Sequence, residues 1–288
     1  MKSALITLSC VCFIVFVLTN CMNFRKSTKR IQKEFSKTNL DIKVAYHTFN
    51  GQRMRYLYYD KKETLPTLIF VHGAPGSSSS FSPYLKDSSL NNDFNIIVID
   101  RPGYGYSDYG TYFPIATQAN WLADFVDKQL YNRSVFLIGH SFGGPVVSHA
   151  AHQLGHKIKG TIMIAPALDP ENEKYFFGGK LVYHKPTRWL FSKAWQVSAD
   201  EKYQHAKELK ELEHLLGQIN TPVLHIHGTN DKIAPYANLN YSQTHFNPDF
   251  LSIYSWDKQG HLIPFKEKEK TIEIIRKFTA KCLLPKAN

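Results

Sequence analysis

The chain has 288 residues, of which 43% are hydrophobic, 14% aromatic and 20% charged, a composition that excludes a disordered or fibrous protein and suffices for one large domain with a sizeable core. Lysine and arginine total 35 against 24 acidic residues, a formal net charge of +11. The basic residues are scattered and no zinc-finger, basic-zipper or RNA-recognition pattern occurs, so nucleic acid is not an expected partner.

At the N-terminus, Lys2 precedes a mostly apolar run over residues 4–18. The run is shorter than the ~20 residues of a spanning helix, which predicts a signal-type leader over residues 1–21. Leu18-Thr19-Asn20-Cys21 resembles the end of a bacterial lipoprotein signal, and that resemblance implies lipidation at Cys21. An uncleaved N-terminal anchor is the alternative. Either one tethers the domain to a membrane and places it in the cell envelope. Arg25, Lys26, Lys29, Arg30 and Lys33 follow, predicting a basic spacer over residues 22–39 that faces lipid headgroups or solvent. Beyond Cys10, Cys12 and Cys21, the chain has only Cys282, so the domain is expected to rely on its core and not on disulfides.

Asn50-Gly51 lies between the strand-like runs 43–46 and 54–59 and predicts a hairpin, because both turn positions need positive φ. The runs 67–71, 96–99, 135–138, 161–164, 223–226 and 250–254 are short, apolar and without alternation, as in strands buried on both faces of a parallel sheet. Helical spacing appears over 117–130, 142–154 and 268–281. A hairpin followed by alternating strands and helices predicts a doubly wound α/β core over residues 40–169 and 217–288. Residues 170–216 break the alternation. They are aromatic-rich, with a charged helical part over 199–216, and predict a helical cap above the sheet. Tyr175, Phe177, Trp189 and Trp195 are expected to line an apolar substrate pocket beneath it.

Gly139-His140-Ser141-Phe142-Gly143 directly follows the run 135–138 and opens the helix 142–154. That strand–turn–helix context gives G-x-S-x-G its meaning as a mount for a nucleophile. A serine hydroxyl needs a base to take its proton and an acid to orient that base. In chain order, Asp231 follows the strand 223–226 and His261 follows the strand 250–254, so both fall on the sheet edge that bears Ser141. Ser141, Asp231 and His261 are the expected triad, with Asp169, after the strand 161–164, as the alternative acid. The amides of Ala74, in the loop His72-Gly73-Ala74-Pro75-Gly76, and of Phe142 are the expected oxyanion donors. His225 and His227 lie two apart on one strand, but no third ligand accompanies them and no metal is expected.

His72–Gly76, Asp100-Arg101-Pro102-Gly103-Tyr104-Gly105-Tyr106-Ser107, the glycine-framed Ser141, Gly228–Asp231 and Gly260-His261 together resemble the α/β-hydrolase superfamily over about residues 40–283. The resemblance implies a mostly parallel eight-stranded sheet flanked by helices, a cap inserted after the sixth strand, and no cofactor. Ser141 stands where the epoxide-hydrolase and haloalkane-dehalogenase branches carry aspartate, which argues against both. The implied activity is hydrolysis of a small or medium carboxylic ester or thioester through an acyl-enzyme. The same triad serves amide, lactone or C–C hydrolysis, and a membrane-tethered binding protein that has lost the chemistry is the non-enzymatic alternative.

Overall fold

Asn50 and Gly51 both adopt positive φ, 49° and 77°, and close a hairpin between β1 (Lys43–Phe49) and β2 (Gln52–Tyr59). The computed structural model describes residues 16–17, 22, 24–38, 40–175 and 178–284. Cys21 and Phe177 lie outside them, as does most of the predicted leader. No described helix is long and apolar enough to cross a membrane.

Six further strands follow: β3 (Thr67–Val71), β4 (Asn95–Ile99), β5 (Val135–His140), β6 (Gly160–Ile164), β7 (Val223–Gly228) and β8 (Leu251–Trp256). They join the hairpin in one eight-stranded sheet ordered β1-β2-β4-β3-β5-β6-β7-β8. Only β2 runs against its neighbours; the pairings from β4 through β8 are parallel. Among the described residues, the helices of eight or more residues are α1 (Thr28–Phe35), α2 (Ile115–Gln129), α3 (Gly143–Leu154), α4 (Lys193–Leu212), α5 (Ala237–His245) and α6 (Lys268–Leu283).

Successive side chains of a strand point to opposite faces, so an unbroken apolar run feeds two cores at once. Ile69, Val71, Ile97 and Ile99 pack with Trp121 and Phe125 of α2 and Val147 of α3. Leu68, Phe70, Ile96 and Val98 pack on the other face with Ile31 and Phe35 of α1 and Ile275 of α6. This is the predicted doubly wound layering, with β3 to β7 buried along their whole length.

Two sequence expectations change. The stretch read as a spacer is folded over residues 24–38. Its helix α1 buries Ile31 and Phe35 (2% and 4% exposed) against the sheet, because these two apolar residues four apart share one helical face. The charged helix expected over 199–216 starts earlier, at Lys193, and gives way to a 3₁₀ turn after Leu212. Ala194 and Val197 in its first turns are buried against Tyr104 of the core, which extends the helix N-terminally. Between β6 and β7, α4 and the short helices Gly179–Tyr183 and Lys185–Arg188 lie over the C-terminal edge of the sheet.

Candidate active site

β5 ends in a turn that places Ser141 in the left-handed region, at φ 54°. That conformation costs a non-glycine residue of order 1–3 kcal/mol, and it is held here by packing. A side chain at Gly139 would meet the Gly143 carbonyl oxygen at 2.3 Å, and one at Gly143 would meet the Val71 carbonyl oxygen at 2.4 Å. Both framing glycines are therefore required by the close approach of β3, β5 and α3.

The turn after β8 brings His261 over this serine. His261 Nε2 lies 2.9 Å from Ser141 Oγ, and His261 Nδ1 lies 2.8 Å from Asp231 Oδ2. The other Asp231 oxygen accepts from the amides of Ile233 and Ala234, at 2.8 and 3.0 Å. Burial alone would raise the Asp231 pKa, yet hydrogen bonds from His227 and His261 and the Ile233 amide hold it well below the usual carboxylate range. The expected Ser141, His261 and Asp231 thus meet in one hydrogen-bonded line. Asp169 does not join it: its oxygens accept from the Glu171 amide at 2.9 Å and from Asn172 Nδ2 at 2.7 Å, capping a local turn.

Three histidines outside the expected triad, His140, His225 and His227, support this line. His140 Nε2–H donates to the His261 carbonyl oxygen at 2.9 Å, and burial lowers the His140 pKa to about 3, so the ring stays neutral. Behind Asp231, Ser242 Oγ, His225 and His227 form a fully buried relay. The contacts are 2.8 Å from Ser242 to His225 Nδ1, 2.9 Å between the two rings, and 2.9 Å from His227 Nε2 to the Ala234 carbonyl oxygen. His227 Nε2 is also 3.5 Å from Asp231 Oδ2. The His225–His227 pair is thus hydrogen-bonded packing, and no metal-binding cluster occurs among the described residues.

Ala74 and Phe142 line a cavity of about 160 Å³ together with Ser141, where an oxyanion formed at the serine would need donors. Arg101 controls both. Its guanidinium donates to the carbonyl oxygens of His72 (2.8 Å) and Gly73 (3.2 Å), to Gln118 (2.7 Å), and to both Glu201 oxygens (2.6 and 3.1 Å). His72 Nδ1–H also donates to the Gly73 oxygen at 2.7 Å, while His72 Nε2 accepts from the Arg101 amide at 3.0 Å. The peptide group is planar, so fixing the Gly73 carbonyl fixes the opposed N–H of Ala74. The Arg101 guanidinium carbon lies 4.5 Å from the centre of the Phe142 ring, and that ring also stacks on His205 of α4 at 4.9 Å. Arg101 and Glu201 are fully buried, and Tyr104 Oη donates to Glu201 at 2.6 Å. One buried ion pair therefore ties the cap helix to the loop and ring flanking the serine.

The small cavity opens beside a larger one of about 540 Å³ lined by Tyr175, Val182, Phe191, Trp195 and Tyr203. Ala74, Pro75, Trp195 and Lys202 border both. Lys202 pairs with Glu173, and burial lowers its pKa to about 8. Of the residues expected around a substrate pocket, Tyr175 and Trp195 line this cavity. Trp189 does not: it is 62% exposed, and its Nε1–H donates to the Pro186 carbonyl oxygen. Aromatic character marked the cap but not which side of a short helix faces inward.

The α/β-hydrolase-fold family model matches residues 66–187. The chain is 29% identical over 133 residues to a 1-acylglycerol-3-phosphate O-acyltransferase of Arabidopsis thaliana, covering 43% of this chain and 31% of that protein. It is 35% identical over 80 residues to esterase YbfF of Escherichia coli (strain K12), covering 28% of this chain and 30% of that one. The chain thus spans about a third of the length of these curated relatives. Among solved structures, a membrane phospholipase A superimposes with a TM-score of 0.66 at 16% identity over 98% of this chain and 99% of that one. The α/β hydrolase GrgF of Penicillium sp. sh18 gives 0.67 at 17% identity over 85% and 99%. Strand order, layering and these likenesses agree: the chain has the α/β-hydrolase fold.

Proposed function

We propose that this chain is a serine hydrolase acting on a carboxylic ester or thioester of small or medium size. The observation that carries the reading is the line Ser141 Oγ, His261 and Asp231, with contacts of 2.9 and 2.8 Å. In this reading His261 Nε2 takes the Ser141 proton as Oγ attacks the acyl carbon. The tetrahedral oxyanion is met by the Ala74 and Phe142 amides, each contributing about 3–4 kcal/mol to the barrier reduction. His261 then returns the proton to the leaving alkoxide or thiolate, and the acyl-serine is released by water activated on the same nitrogen. Asp231 accepts from His261 Nδ1–H throughout, fixing the tautomer and balancing the imidazolium. The larger cavity, bordering the serine cavity through Ala74 and Trp195, takes the apolar acyl part. The leader-like residues 1–21 support a membrane tether, with Cys21 as a lipid-bearing residue or the segment as an anchor.

The test is covalent. A fluorophosphonate should add one adduct to the folded protein by intact mass, and Ser141→Ala and His261→Ala should carry none. An adduct that persists in Ser141→Ala, or a well-folded wild type that never reacts, would overturn the assignment.

A further inference from the structure

Residues 174–199 contain no aspartate or glutamate, yet carry Lys174, Lys180, Lys185, Arg188 and Lys193. Within this stretch Gly179–Tyr183 and Lys185–Arg188 are helical. Val182 turns inward and borders the larger cavity. Lys180, Leu181, Tyr183, Lys185 and Trp189 remain exposed around it, Leu181 by 51% and Trp189 by 62%. Arg188 is paired with Asp200, whereas Lys180 and Lys185 occur in no ion pair among the described residues. Trp189 satisfies its own Nε1–H on the Pro186 carbonyl oxygen, so its ring is presented outward with no unmet donor. On the same stretch, Tyr175, Gly178 and Gly179 border the cavity that leads toward Ser141.

We propose that this face of the cap docks on an anionic lipid surface. The lysines on it that enter no ion pair among the described residues, Lys180 and Lys185, complement acidic headgroups, and lysines reach phosphates while their stems cover apolar surface. Tryptophan and leucine with no polar demand suit the boundary between headgroups and acyl chains. Docked in this way, the cavity opens toward the bilayer, and the substrate is the acyl chain of a membrane-resident ester. That last step rests on the serine-hydrolase reading; the docking does not.

The test uses the full chain in a Ser141→Ala background, sedimented with phosphatidylcholine vesicles with and without phosphatidylglycerol. Binding should require phosphatidylglycerol, weaken about fivefold for each of Lys180→Gln and Lys185→Gln, and weaken further with Trp189→Ser. With Ser141 intact, the same three substitutions should leave turnover of a short water-soluble ester unchanged and depress turnover of an ester embedded in the vesicles. All proteins share residues 1–21, so affinity due to that segment is common to them. Wild-type binding by the triple variant, binding indifferent to phosphatidylglycerol, or no binding at all would each overturn the docking. Failure of the wild type to hydrolyse even the soluble ester would overturn the hydrolase reading and leave the vesicle result standing.

Discussion

Asp231 is met by donors on both oxygens: His261 on one, the Ile233 and Ala234 amides on the other, with His227 close behind. A carboxylate so enclosed has a single orientation, and His261 inherits it. Asparagine there would present an amide to His261 Nδ1 and invite the wrong tautomer, with Nε2 protonated toward the serine. We expect Asp231→Asn to fold and to lower kcat by about 10⁴, measured on any ester the wild type turns over. The Asp169 carboxylate accepts within its own turn, from the Glu171 amide and Asn172 Nδ2, and the Asp169 amide donates to Asn238 Oδ1 at 2.9 Å, away from His261, so Asp169→Asn should leave kcat near the wild-type value. The reverse ranking would give Asp169 the acid's role.

Among the elements, the cap helix α4 is held to the core by buried carboxylates. Glu201 meets Arg101, Tyr104 and Gln118, and Glu208 accepts from the Ile115 amide at the start of α2, at 2.8 Å. Burial raises the Glu208 pKa from 4.5 to about 7, with the Ile115 hydrogen bond opposing it. A pKa raised on folding means that the folded state holds the proton to higher pH. The side chain's full contribution is present below the unfolded value and is lost as pH rises from about 4.5 through 7. Glutamine keeps an acceptor for Ile115 and cannot ionise. Glu208→Gln should therefore match the wild type at about pH 5 and exceed it at about pH 8 by on the order of 1–2 kcal/mol, after discounting for partial solvent contact. Urea unfolding at the two pH values checks the sign; a gain confined to low pH would refute it. These ties also mark the limit of what the sequence makes legible. β3 to β7 are readable because burial on both faces leaves unbroken apolar runs, and Ser141 because a strand, two glycines and a helix frame it. Arg101 and Glu201 lie 100 residues apart, and no local pattern announces that a cap glutamate neutralises an arginine beneath the serine turn. Helix α1 escapes for a related reason: two apolar residues among eight, surrounded by charge, look like a solvated face until the sheet surface they cover is known.

At the scale of the whole molecule, that N-terminal segment closes one side of the fold. Ile31 and Phe35 enter the same apolar cluster as Leu68, Phe70 and Ile96. The Arg25 guanidinium carbon lies 4.2 and 4.0 Å from the Tyr106 and Tyr109 ring centres, and Arg25 Nε–H donates to the Gly105 carbonyl oxygen. Arg55, fully buried, donates to Asp100 at 2.7 Å and to the Lys26 carbonyl oxygen at 2.8 Å. Asp100 adjoins Arg101 in sequence, so the segment reaches the loop behind the oxyanion donors through two side chains. Compared with a chain beginning at Met22, one beginning at Asp41 should be less stable, because it loses the cover of this cluster and leaves the Arg55 donor without the Lys26 carbonyl. Phe35→Ala in the intact chain isolates the packing contribution, expected at about 3–5 kcal/mol for a buried phenylalanine and near the low end at the end of a short surface helix. Denaturant unfolding measures it. A midpoint unchanged by both the truncation and Phe35→Ala would show that residues 24–38 lie on the fold without stabilising it, and would return the segment to the role of a spacer.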